Sequence, residues 1–131
     1  MKYIVGFLAA AVFIVSCTTA PIAQSDGNNL HGKKYKLVSM YPEMNITIEF
    51  TSDTISGFSA VNNYSSSYMI DGDIFNVLSI VTTRKLGSDE ENSAEKKYLE
   101  MLKSATSYKI SGKNLIIYTL LSSENLIFEE I

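Results

Sequence analysis

Tryptophan is absent from this 131-residue chain, and cysteine, histidine and arginine occur once each. The single cysteine stands at position 17, so no intramolecular disulfide, cysteine zinc site or thiol nucleophile is open to a domain folded downstream of it. The single histidine, His31, has neither a second histidine nor a cysteine to complete a metal site or a catalytic triad. Positive charge is scarce: 11 Lys and Arg face 14 Asp and Glu, and the formal charge is −3. No basic face follows from this balance, which argues against a partner made of nucleic acid. Long apolar runs are missing too. Tyr3 to Val15 is uncharged and mostly apolar but only 13 residues long, short of the ~20 that a helix needs to cross a bilayer.

What is present begins with that run. Lys2 before it and a small residue after it give the layout of a secretory signal peptide. The sequence Ile14-Val15-Ser16-Cys17 resembles the bacterial lipobox, whose cysteine receives a diacylglycerol on its thiol and becomes the first residue once the leader is cut away. The alternative is an ordinary signal peptide with a chance cysteine. A lone cysteine here has little other use, and two or three acyl chains hold a protein stably to a membrane. Thr18, rather than Asp, follows the cysteine, which by resemblance to enteric lipoproteins favours the outer membrane. Thr18 to Asn29 holds Pro21, Gly27 and small polar residues without periodicity and reads as a flexible tether. The expected order is a signal peptide at 1–16, lipidated Cys17 and tether at 17–29, and one domain at 30–131. Loss of Lys2 with the leader leaves 10 basic against 14 acidic residues, a net of −4.

Within the domain the polarity alternates. Ile46, Ile48 and Phe50 point one way and Asn45, Thr47, Glu49 and Thr51 the other, which predicts a half-buried strand. Lys33 to Met40 forms a strand before it, with Tyr41-Pro42-Glu43 as the turn, and Thr54 to Ala60 a strand after it. Asp71-Gly72 marks a tight turn needing positive φ between strands at Ser66 to Ile70 and Asp73 to Ser79. The period then changes: Ala94, Tyr98, Met101, Leu102 and Ala105 fall on one face of a helix. Ser88 and Glu91 have capping-box spacing at its start, and Asp89, Glu90 and Glu91 suit the helix dipole. Strands at Tyr108 to Ile110, Leu115 to Leu120 and Leu126 to Ile131 close the chain. The class is α+β: a mostly antiparallel curled sheet or partial β-barrel packed on a single α-helix.

This order resembles the META, or HslJ-like, domain of small bacterial envelope proteins. The resemblance is carried by Leu30, Gly32 and Tyr35-Lys36-Leu37; by Gly57-Phe58-Ser59-Ala60-Val61-Asn62-Asn63-Tyr64; by Tyr68 and Asp71-Gly72; by Thr83-Arg84-Lys85; by Leu99 and Leu102; and by Leu126-Ile127-Phe128. Many members carry one cysteine before the Asn and another after the Thr-Arg segment. Val61 and about Gly87 occupy those places here, and Lys85 replaces the usual Met. The resemblance implies an antiparallel sheet wrapped on one helix and a setting in envelope stress, antibiotic tolerance or secretion. It brings no catalytic residues.

Candidate site residues come from the same motifs. Asn62, Asn63, Tyr64, Tyr68, Thr83 and Arg84, with Thr82, form one candidate surface for a peptide or headgroup. The plainer reading is that the Asn side chains satisfy backbone groups in a bend and Tyr64 packs. Arg84 has a fork suited to a carboxylate or phosphate; the alternative is a surface charge paired with Asp89 or Glu90. Asp71 and Asp73 lack the remaining ligands of a calcium loop and read as turn residues. The tyrosines at 35, 41, 64, 68, 98, 108 and 118 are either core residues or the lining of an amphipathic groove in an incompletely closed sheet.

No cofactor or metal is implied. The expected protein is a monomeric, non-enzymatic envelope lipoprotein, held to the membrane through Cys17, that binds an envelope protein or a lipid. Two rivals stand beside it: a hydrolase of envelope polymers acting through unidentified carboxylates, and a structural or antigenic surface lipoprotein.

Overall fold

The computed structural model describes residues 30–121 and 123–131. The expected leader, Cys17 and the expected tether fall outside the described residues. The elements are β1 (Lys34–Leu37), a 3-10 turn (Pro42–Met44), β2 (Thr47–Phe50), β3 (Thr54–Phe58), β4 (Asn63–Asp71), β5 (Ile74–Thr82), α1 (Asp89–Lys103), β6 (Ala105–Ser111), β7 (Asn114–Thr119) and β8 (Leu126–Glu130). Each strand runs antiparallel to the next, and β8 pairs back on β1 with Leu37 opposite Phe128. The sheet is therefore a closed eight-stranded barrel with one helix. Closure goes beyond the curled sheet or partial barrel expected from sequence, because alternation fixes which side chains face inward but not the stagger that brings the two end strands together.

Inward positions follow the two-residue period. Ile48 and Phe50 of β2, Leu115 and Ile117 of β7, and Leu126 and Phe128 of β8 are buried, with more polar or partly exposed neighbours between them. Eight strands enclose a space that side chains can just fill, and aromatic rings fill much of it here. Tyr35, Phe50, Tyr68, Phe75 and Tyr108 form a chain of ring contacts with centroids 5.6 to 6.2 Å apart, a spacing favourable for tilted and edge-on pairs. Tyr35, Tyr64, Tyr68, Tyr98 and Tyr108 all belong to this core. These five tyrosines are therefore core residues of the barrel.

Antiparallel order sorts the connections onto two rims. One rim carries the tight loops, where the strand registers leave Gly72-Asp73 and Gly112-Lys113 as two-residue hairpins. Positive φ falls on Gly72 (62°) and Gly112 (60°), the type II′ pattern that matches strand twist. The other rim carries the longer connections, including α1. The capping box forms as the sequence predicts: the Ser88 hydroxyl accepts from the Glu91 N–H, and the Glu91 carboxylate accepts from the Ser88 N–H. Ala94, Tyr98, Met101 and Leu102 are the buried face. Tyr98 packs edge-on against Phe128 and Tyr64, so α1 closes this mouth of the barrel with its apolar stripe.

Candidate functional site

The Gly57 to Tyr64 motif becomes a bend from Ser59 to Asn62 joining β3 to β4. The Ser59 N–H donates to the Asn62 carbonyl at 2.9 Å. Its hydroxyl lies 2.7 Å from Glu95 Oε2 and 2.9 Å from the same carbonyl, one proton serving both. Ala60 sits at φ 92°, a left-handed value that costs a residue with a Cβ on the order of 1–3 kcal/mol and persists only where its surroundings impose it.

Glu95, on α1, imposes it. Oε2 also accepts the N–H groups of Val61 (3.2 Å) and Asn62 (2.8 Å), and Oε1 accepts Asn62 Nδ2 at 2.7 Å. The Asn62 side chain then reaches a third segment. Its Oδ1 accepts the Thr83 hydroxyl at 2.8 Å and the Lys85 N–H at 2.7 Å, and Nδ2 also donates to the Lys85 carbonyl at 3.2 Å. Bend, helix and the 83–85 segment are thereby tied through one carboxylate and one amide. Burial pushes the Glu95 carboxyl up, but the donors from Asn62, Ser59 and Val61 outweigh it and hold the group below the ordinary carboxylate range. An acceptor saturated in this way is a poor proton acceptor, and Ser59 beside it is fully buried. The arrangement works as a lock between elements rather than as a nucleophile and base.

A second tie lies beneath the first. Tyr64 donates its hydroxyl proton to the Thr47 carbonyl at 2.8 Å, so Tyr98 donates to Tyr64 across 2.7 Å. Burial raises both phenols well above their usual range and keeps them protonated.

The six candidate residues do not share one surface. Asn62, Tyr64 and Tyr68 are buried, and the Tyr68 hydroxyl donates to the Thr51 carbonyl at 2.6 Å. Asn63, Thr83 and Arg84 are exposed. Asn63 and Thr83 border a shallow hollow of about 380 Å³ beside Ser65 and Val81. Arg84 belongs to neither described ion pair, Lys33–Glu130 or Lys97–Glu124. Asp71 and Asp73 flank the Gly72 turn, and His31 is exposed in the turn before β1. Sequence reasoning passed over Glu95 and Ser59. The available signal was an acidic residue between Glu91 and Tyr98 at helical spacing, next to the apolar stripe of α1.

A family model for the META domain matches residues 28–130. The chain belongs to the META domain family. No curated protein matches it. Three solved structures share the fold. A protein from Burkholderia xenovorans solved by NMR is 18% identical with a TM-score of 0.65, over 100% of this chain and 98% of that one. A second NMR structure is 19% identical with a TM-score of 0.60, over 78% and 92%. A DUF4847 family protein from Bacteroides vulgatus is 12% identical with a TM-score of 0.59, over 78% and 94%.

In this META domain Val61 and Gly87, at and near the places where the resemblance puts a cysteine pair, lie against each other. A Cβ on Gly87 would stand 2.8 Å from Val61 Cγ2 and 2.5 Å from Glu91 Oε2. A Val61→Cys, Gly87→Cys double variant is thus expected to close a disulfide when oxidised, with the flexible Glu91 carboxylate swinging aside. Chain entropy for a loop of about 26 residues gives roughly 3–4 kcal/mol, less about 1 for the weakened capping box. Thermal unfolding with and without reductant checks this, and equal melting temperatures in the two states would rule out the pairing.

Proposed function

We propose that this META domain is a non-catalytic binding module, held to the bacterial envelope through a lipidated Cys17 and engaging a protein partner in support of envelope integrity or secretion. One observation carries the reading: the best-connected motif residues, Asn62, Tyr64 and Tyr68, are turned inward. Asn62 and Glu95 spend their hydrogen-bonding capacity on each other, on the Ser59 and Thr83 hydroxyls and on backbone groups, and tyrosines fill much of the barrel. What remains for a partner is the outer surface. The anchor rests on Ile14-Val15-Ser16-Cys17, and Thr18 after the cysteine favours the outer membrane.

Native mass spectrometry of residues 29–131, which include the whole barrel and its core, tests the choice of partner. A bare mass is expected, together with crosslinking of the intact protein to one envelope protein in cells. A lipid retained reproducibly and released by organic solvent would replace the protein partner with a lipid. Cleavage of peptidoglycan fragments, lost on changing a single Asp or Glu, would replace the binding module with a hydrolase.

A further inference from the structure

β5 and β6 are joined at one residue pair, Ile74 with Ser107. From Val77 onward β5 has β4 on one side and, among the described residues, no strand on the other. The phase of the ladder is set by the Thr83 N–H, which donates to the Asn63 carbonyl at 3.0 Å. Alternation then turns the N–H and C=O groups of Ser79 and Val81 toward β4, and those of Ile80 and Thr82 toward the open side. No hydrogen bond among the described residues reaches the backbone of Ile80 or Thr82 from α1.

A hollow of about 330 Å³ separates this edge from the helix. Leu78 and Ile80 form its strand wall, and Leu99, Glu100 and Lys103 its helix wall. Leu78 is 52% exposed. Unpaired donors and acceptors at every second residue match another backbone in extended form, which is how peptides add to sheet edges. An acyl chain has nothing to offer them. A second copy of this domain would bring its own α1 into the same hollow, whereas a single strand need bring nothing but itself.

We propose that this groove receives one extended segment of a different protein, added as a strand beside Leu78 to Thr82. The inference rests on the partner-binding reading above and gives that partner a place and a chemistry. Aliphatic side chains at alternate positions would meet Leu78, Ile80 and Leu99. A basic residue would face Glu100, and an acidic one Lys103. The register shift between Ser67 and Tyr68 bends the edge, and Lys103 guards it, two devices that keep an open strand from indiscriminate pairing.

The test uses the full chain from its host, purified in mild detergent, and phage-displayed linear heptapeptides as probes. Recovered peptides are expected to show alternating aliphatic residues and to slow amide hydrogen exchange at Ile80 and Thr82. Thr82→Pro deletes the outward N–H while sparing the β4 ladder, and is expected to weaken binding at least tenfold. Leu78→Lys, at an exposed position that leaves folding intact, is expected to do the same. Peptides that bind both variants as tightly as the parent would overturn the groove and move the partner site elsewhere on the domain. Recovery of no binding peptide would also overturn it, and cell crosslinking would then decide the partner reading by itself.

Discussion

Glu95→Ala is expected to lower the unfolding free energy by roughly 2–4 kcal/mol. The substitution strips the Val61 and Asn62 N–H groups of their acceptor, and each polar group left unpaired away from water costs about 1–3 kcal/mol. Ser59 and the Asn62 amide keep their second partners, the Asn62 and Lys85 carbonyls, which limits the loss. In a domain of this size such a change lowers the melting temperature on the order of 10–20 °C. Glu95→Gln removes no volume but sets an NH₂ against donors, so it is expected to approach the alanine value. The pH profile separates charge from packing. Because the folded carboxyl is held below its ordinary value near 4.3, the unfolded chain binds the proton first. This part of the stability is complete above about pH 4.3 and drains away as the pH falls through the lowered folded value. Denaturant midpoints measured from neutral to acid pH should therefore fall less for Glu95→Gln than for the parent. Parallel curves would mean that the carboxylate contributes no charge-dependent stability.

Gly57→Ala is expected to be at least as damaging, on the order of 3 kcal/mol or more. The new Cβ would overlap the Thr47 carbonyl oxygen and lie 2.8 Å from its carbon. Both are backbone atoms, so no side-chain rotation relieves the clash and β3 must move off β2. That carbonyl also accepts the Tyr64 hydroxyl, which in turn accepts Tyr98. The disturbance passes to the seat of α1. Glycine is required here by close approach, since its φ lies outside the left-handed region. Urea unfolding is the measurement, and a midpoint within experimental error of the parent would show that β3 relaxes without cost.

Much of this fold was legible because local chemistry decides it. The Ile46 to Phe50 alternation, the Asp71-Gly72 turn and the Ser88–Glu91 capping box each appear where the sequence set them. The misses have local causes as well. β4 begins at Asn63 rather than Ser66, and β5 runs to Thr82 rather than Ser79. Alternation along β4 puts a polar Ser66 inside, and the extra residue of β5 at the register shift opposite Ser67 and Tyr68 leaves Val81 outside, which disguises both ends of the hairpin. Ala105 continues the spacing of the apolar stripe of α1, yet it opens β6 opposite Thr119. Helix and strand share that buried position, so periodicity alone assigned it to the wrong element. The lock was invisible for another reason. Glu95 matters through four donors supplied by residues more than 30 positions away in the chain, and no short motif announces such a meeting.

The pairing of β8 with β1 makes strand order cyclic. The Ile131 N–H donates to the Lys34 carbonyl at 3.0 Å, so the last described residue ends beside the strand where the barrel begins. A ring of antiparallel strands has no privileged first member. A short linker from Ile131 to Leu30 would let the chain be cut at the solvent-exposed Gly112-Lys113 turn and still describe the same barrel. Such a rearranged gene would place both new ends on the rim opposite α1, leaving the helix and the groove beside it unencumbered by whatever is fused there.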